Sequence, residues 1–335
     1  MTTTFYWQEQ PVEAGPHETV LDALLRQGHK IPSGCRSGVC QSCLIKVEGA
    51  VPVAAQSGLS DGHIADNLAL ACQCRAISGL RTGPPGIHAA RVLARVTDKR
   101  WLAPNIIGLR LAANLRYRPG QYVTLWRDEH TSRSYSIASH PDIQDTLEFH
   151  IRVHEQGRFS RWVAEGLKVG DLLPVQGPMG HCIYKGESSR PLLMVAMGTG
   201  LAPLFGVLQD ALMQGHSGDI HLVVAAMQAR EFYLTETLLE LAGRYPQLKL
   251  HWVVSTTEDL AGCHLPLVRA GVEEYVTNCF PDLNGFGVYL CGAPRRVHAL
   301  RRGCYIAGAA MIDIAADAFL TCDRGELVGA RLAGH

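Results

Sequence analysis

The chain has 335 residues, 31 of them basic and 31 acidic, and is 47% hydrophobic against 19% charged. That length carries two or three domains with cores of their own, and the even charge argues against a nucleic-acid or anionic-membrane partner. Eleven cysteines would suit a secreted disulfide scaffold only in a much shorter chain, the first residues have no leader character, and the longest apolar runs (192–197 and 222–227) fall far short of a membrane span, so a cytoplasmic protein is expected.

Residues 1–80 read as a small α+β unit. A strand is expected over 4–8, and a helix over 20–25, where apolar residues recur at helical spacing behind a Thr19 cap. Cys35, Cys40 and Cys43 follow in a C-x4-C-x2-C loop, and Cys72 stands after 28 intervening residues. This is the plant-type spacing for a [2Fe-2S] cluster, which needs four thiolates converging on one small volume. Gly34 and Gly38 suit a backbone that must curl around such a cluster. Four cysteines also suit structural zinc, but zinc sites usually pair two C-x2-C knuckles. Cys74 competes with Cys72 for the fourth place: two residues apart on an extended segment, they face the same way. A strand over 44–48 ends at Gly49.

Three glycines and two prolines in 79–86 read as a linker without a central strand. Strand-rich sequence follows, with turn signals that suggest a small barrel or sandwich. Residues 146–154 alternate, with Leu147, Phe149, Ile151 and Val153 on one face and Glu148, His150, Arg152 and His154 on the other. His150 and His154 have no third ligand nearby and read as solvated. From 190 onward apolar strands (191–197, 220–226, 248–255, 288–292) alternate with helices (201–213, 235–241 and one from 294), which implies a doubly wound parallel sheet.

Four further motifs carry chemistry. Arg133, Tyr135 and Ser136 offer a cation, a flat aromatic and a hydroxyl along one strand. Gly157 and Ser160 sit where a helix would start; Ser160 reads equally as an ordinary N-cap or as part of an anion site. Gly198, Thr199 and Gly200, with Pro203, lie between an apolar strand and a helix, where glycines let a pyrophosphate approach the backbone. Cys291 and Gly292 close the last apolar strand; on residues alone Cys291 is a buried core thiol. Cys182, Cys263, Cys279, Cys304 and Cys322 lack metal spacing and read as core or surface thiols.

The cysteine loop and the segment Ala-Leu-Ala-Cys72-Gln-Cys74-Arg-Ala resemble the N-terminal ferredoxin domain of bacterial oxygenase reductases, and the later motifs fall in the same order as in those proteins. The resemblance implies a multidomain α+β fold: a β-grasp ferredoxin domain over 1–80, a linker over 81–89, an antiparallel flavin barrel over 90–187 and a Rossmann-like nucleotide domain over 188–335. It implies Cys72, with Cys35, Cys40 and Cys43, as the cluster ligands. It implies that Arg133 meets the flavin phosphates, Tyr135 packs on the isoalloxazine and Ser136 approaches N5. Gly157 and Ser160 then receive the flavin pyrophosphate. Gly198, Thr199, Gly200 and Pro203 match the nicotinamide-binding motif, although relatives often carry a glycine at the place of Met197. Cys291 and Gly292 match C-G-x-P, whose cysteine sits beside the nicotinamide C4; Cys291 and Ser136 are the expected catalytic pair. Phe319 matches an aromatic that covers the flavin, and reads equally as a core phenylalanine. The implied cofactors are a [2Fe-2S] cluster, FAD rather than FMN, and NADH rather than NADPH, since the segment 227–231 after the second nucleotide strand holds one arginine, Arg230, and no basic cluster. The implied activity takes a hydride from NADH onto FAD and passes single electrons through the cluster to an oxygenase component. A ring-hydroxylating dioxygenase is the first expectation; a diiron monooxygenase, a desaturase or a sugar-deoxygenating enzyme would use the same chain. A zinc-stapled nucleotide-binding module without redox activity is the reading from another class. A monomer is expected.

Overall fold

The computed structural model describes residues 2–29, 31, 33, 36, 38, 41–59, 61–85, 91–128, 131–255 and 264–319. Three sheets follow one another along the chain. The first has strands β1 (Thr3–Trp7), β2 (Gln10–Ala14), β3 (Leu44–Glu48), β4 (Leu68–Leu70) and β5 (Arg81–Gly83), in the order β2-β1-β5-β3-β4. β1 and β5 pair in parallel and the other pairs are antiparallel, as a β-grasp requires. Helix α1 (Val20–Arg26) starts as its sequence dictates: the Thr19 hydroxyl accepts the Asp22 N–H at 3.1 Å, and the Asp22 charge complements the helix dipole. Its buried stripe of Val20, Leu21, Ala23 and Leu24 packs with Phe5, Ile45, Leu68 and Leu70. A short helix α2 (Asp61–Ala65) precedes β4.

The linker expectation needs correcting at its start. Arg81–Gly83 is the central strand of this sheet, and the Thr82 side chain donates to the Tyr6 carbonyl at 2.8 Å. Extended pairing ends before Pro84 and Pro85, neither of which can donate to a ladder.

The second sheet is antiparallel throughout: β6 (Val92–Ala103), β7 (Ile106–Ala112), β8 (Tyr122–Trp126), β9 (Ser132–Ser136), β10 (Leu147–Arg152) and β11 (Leu172–Met179), in the order β10-β7-β6-β11-β8-β9. A bridge between Ile137 and Phe149 joins the two terminal strands and closes the barrel. Its interior holds Val96, Leu109, Leu111, Val123, Leu125, Phe149 and Ile151, and helix α3 (Arg158–Glu165) adds Phe159 and Val163.

The third sheet is all parallel: β12 (Leu192–Met197), β13 (Ile220–Ala226), β14 (Leu248–Val254), β15 (Leu267–Arg269), β16 (Gly287–Gly292) and β17 (Ile314–Ala318), in the order β15-β14-β13-β12-β16-β17. Helices α4 (Leu201–Met213) and α5 (Thr235–Arg244) contribute to the core on one face, and α6 (Val272–Cys279) and α7 (Pro294–Ile306) to the core on the other. The strand order reverses between β12 and β16, so the sheet's switch point lies at their carboxyl ends. Among the described residues no helix is long and apolar enough to cross a membrane.

Candidate redox site

The switch point brings two of the motifs into contact. After β12 the chain makes one tight turn, Gly198–Gly200, and enters α4. A Cβ on Gly200 would lie 2.1 Å from the Cys291 carbonyl oxygen, and one on Gly292, at φ +139°, would lie 2.7 Å from Met197. Only glycine lets these backbones pass so closely. Gly198, at φ +58°, leaves room for the Arg152 guanidinium, 2.8 Å from where its Cβ would sit. Met197 has ordinary extended backbone at φ −111° and needs no glycine. Thr199 and Gly200 lie in the turn, and Pro203 lies buried in the first turn of α4.

Cys291 is fully buried, and its Sγ lies 3.7 Å from that of Cys182. Burial first, then the Cys182 thiol and the nearby Asp317, push the Cys291 thiol well above its ordinary value. At rest it is a neutral thiol, with no nucleophilic part in moving a hydride. Asp317, opposite Cys291 in register on β17, had no expected role. Its carboxyl accepts the Ser136 hydroxyl at 2.9 Å, and burial raises it to about 6. One hydrogen bond thus ties the barrel's terminal strand to the carboxyl end of the nucleotide sheet. No spacing signals it, since 181 residues separate the partners. Phe319 donates its backbone N–H to the Gly292 carbonyl at 2.8 Å and is half-exposed, so it is not a core phenylalanine.

On the barrel, Tyr135 rests against Phe159 with ring centroids 5.7 Å apart, which joins the Arg133–Ser136 strand to the helix that follows Gly157. That helix has Gly157 as N-cap and no capping side chain, so its first N–H groups remain available to an anion. Ser160 is not the cap: it stands in the helix, accepts the His154 N–H at 3.2 Å and leaves no room for a Cβ on Gly157. Arg133 is half-exposed on the same strand as Tyr135. A cleft of about 390 Å³ beside α3 is lined by Arg127, Gln156, Arg158, Arg161, Trp162 and Glu165. A half-exposed arginine and an uncapped helix start fit a phosphate-bearing flavin.

His150 is buried rather than solvated. Its ring meets the Tyr233 hydroxyl at 3.1 Å, and Arg152 pairs with Glu231 at 3.1 Å. The polar face of β10 is covered by the nucleotide domain, an arrangement no local alternation reveals. His154 lies beyond β10.

In the first sheet, residues 71–73 form a turn after β4, so the extended-segment argument that equated Cys72 with Cys74 does not hold. Cys74 is fully buried in the core, and its thiol donates to the Arg75 carbonyl at 3.8 Å. Cys72 receives the Gln73 amide at 3.5 Å, and the same amide reaches the Arg36 carbonyl at 3.1 Å, inside the cysteine loop. Arg36, Gly38 and Gln41 all have positive φ, the curl that a cluster loop needs. Cys43 is buried beside this turn, the Ala71 N–H donating to its carbonyl. Cys35 and Cys40 lie outside the described residues, as do Cys263 and Cys322. Cys182 and Cys304 are core thiols and Cys279 is exposed.

The comparisons cover most of the chain. Residues 5–76 match a 2Fe-2S iron-sulfur cluster binding domain, 94–184 an oxidoreductase FAD-binding domain and 194–302 an oxidoreductase NAD-binding domain. The chain is 30% identical to reductase component 2 of terephthalate 1,2-dioxygenase from Comamonas sp., over 93% of this chain and 95% of that protein. It is 32% identical to the ferredoxin--NAD(P)(+) reductase component of the naphthalene 1,2-dioxygenase system of Pseudomonas putida, over 92% and 95%. A crystal structure of an Amycolatopsis cytochrome P450 reductase superposes with a TM-score of 0.66 at 27% identity, over 95% and 99%.

Proposed function

This chain belongs to the iron–sulfur flavoprotein reductases that serve bacterial multicomponent oxygenases, moving electrons from NAD(P)H through FAD and a [2Fe-2S] centre, and on that premise we propose that it takes them from NADH and delivers them to a ring-hydroxylating dioxygenase. The observation that carries the site assignment is the meeting of Gly200 with Cys291, and of Ser136 with Asp317, at the switch point. When bound, FAD accepts the electron pair of a hydride and the cluster passes electrons on singly.

The residues divide the remaining work. Gly198, Thr199, Gly200 and Gly292 present backbone to the nicotinamide nucleotide, and Pro203 sits in the first turn of the helix behind it. Cys291 packs as a neutral thiol at the transfer point. Ser136 keeps its hydroxyl on Asp317, which fixes its direction. Tyr135 and Phe319 supply flat apolar cover that excludes water. Arg133, Gly157 and Ser160 shape the phosphate end, with charge and uncapped N–H groups. Cys35, Cys40, Cys43 and Cys72 are the cluster ligands, and the Gln73 amide holds Cys72 toward the loop.

NADH is favoured by Glu231. Its carboxylate follows Arg230 directly and engages Arg152, so a 2′-phosphate there would meet a negative charge. The dioxygenase is favoured by two relatives at 30% identity or more, each a reductase component of a 1,2-dioxygenase system. The test is direct. The purified protein should show flavin bands with an iron–sulfur shoulder, bleached by NADH more readily than by NADPH, and should then reduce a ring-hydroxylating dioxygenase component. A colourless zinc protein overturns the reading. Turnover of a diiron monooxygenase component alone overturns the choice of partner.

A further inference from the structure

Cys182 and Cys291 stand 109 residues apart in sequence, yet their sulfurs touch at 3.7 Å inside one core cluster. Cys182 lies in the connection from the barrel to the nucleotide sheet, between β11 and β12; Cys291 lies at the end of β16. Both backbones are pinned. A Cβ on Gly120 would lie 2.1 Å from the Cys182 carbonyl oxygen, and one on Gly200 equally close to that of Cys291. A disulfide needs the sulfurs at about 2.05 Å, so side-chain rotation must close a gap of about 1.7 Å.

We propose that Cys182 and Cys291 form a reversible disulfide under hydrogen peroxide, and that the bridge draws the Cys291 sulfur away from the nicotinamide position and stops hydride transfer. The second half rests on the reading of Cys291 as the residue beside the nicotinamide. Cys291 is wholly enclosed, with the Asp317 carboxyl across from it, so the first oxidation falls on Cys182, which keeps slight exposure. The Cys182 thiol and peroxide give a sulfenic acid and one water. The Cys291 thiol then attacks that sulfur, the S–S bond forms and a second water leaves. Two electrons pass from the two thiols to one peroxide, and a dithiol reductant reverses the bridge.

The holoenzyme is treated with hydrogen peroxide, denatured under alkylating conditions and digested. The expected product is a Cys182–Cys291 cross-linked peptide, lighter by two hydrogens than its thiol pair. NADH oxidation with ferricyanide should fall on the order of tenfold in step with the cross-link and return with dithiothreitol. Cys182→Ala, or Cys182→Ser where alanine folds poorly, should keep its untreated rate through the same exposure. Oxidation of exposed Cys279 without any cross-link overturns the bridge and leaves the reading of Cys291 standing. A cross-link that leaves NADH oxidation intact overturns the coupling and, with it, the placement of Cys291 at the nicotinamide. Inactivation of Cys182→Ala as fast as the parent overturns the proposal as well.

Discussion

Asp317 shows how one buried carboxyl can tax the fold that needs it. Burial raises it to about 6, against an ordinary value of 3.8, while the Ser136 hydrogen bond pulls the other way. The native state therefore holds this proton more tightly than the unfolded chain. The resulting stability is complete below about pH 4 and is lost as pH rises through 6. Asp317→Asn keeps an acceptor for Ser136 and removes the charge. Between pH 4 and pH 8 the variant should gain about 3 kcal/mol relative to the parent, read by denaturant unfolding at both pH values. A constant difference across that range would show that Asp317 is not buried as a charge. Glycine sets a second limit at this scale. Gly200→Ala puts a Cβ into the rigid Cys291 carbonyl at 2.1 Å, and should cost about 2–3 kcal/mol and raise KM for NADH. Gly198→Ala meets only the movable end of Arg152, and should cost about 1 kcal/mol for its left-handed backbone. If the two variants unfold alike, the close approach at Gly200 does not carry the difference.

At the scale of elements, legibility followed locality. Helices α4 and α7 and strands β3 and β13 carry their signals within themselves, and their starts matched the apolar runs and turn residues. β5 did not. Three residues beside two prolines look like a linker, and only the groove between β1 and β3 makes them a strand. The Cys72–Cys74 choice turned on a turn hidden in an apolar run. β10 alternated cleanly, yet both of its faces are covered, because Tyr233 and Glu231 from another domain close the polar one. That covered face makes a prediction. Burial lowers the affinity of His150 for a proton, with Glu148, Arg100 and Arg110 around it on the barrel and Tyr233 above it. Its folded value is depressed, so the stability it contributes is present above about pH 6.5 and is lost as pH falls below that. Acid should therefore loosen the barrel from the nucleotide domain. His150→Gln keeps a polar partner for Tyr233 and cannot take the proton. Thermal unfolding between pH 7.5 and pH 5.5 should fall less steeply in the variant than in the parent, and equal slopes would remove His150 as the cause.

For the whole molecule, the order of the three sheets separates two tasks that one assay would merge. The glycine turns, Ser136, Cys291 and Asp317 belong to the second and third sheets, whereas the cysteine loop belongs to the first. Loss of a cluster ligand should leave hydride chemistry intact and remove the one-electron exit. Cys72→Ser and Cys74→Ser separate that idea from simple damage. Cys74 is the more deeply buried of the two, with its thiol on the Arg75 carbonyl, so its loss should cost about 1 kcal/mol of stability while both activities persist. Cys72 faces the loop through Gln73, so its loss should abolish the iron–sulfur absorption and reduction of the oxygenase component. NADH oxidation with ferricyanide, which can take electrons at the flavin, should then stay within about twofold of the parent. Gln73→Ala serves as the graded case: it removes the amide that holds Cys72 toward Arg36, and should slow oxygenase reduction without bleaching the cluster. A Cys74 variant that loses the cluster while the Cys72 variant keeps it would reverse the ligand assignment. Loss of ferricyanide reduction in the Cys72 variant would mean that the first sheet supports the flavin site itself, and that the two tasks are not separable in this chain.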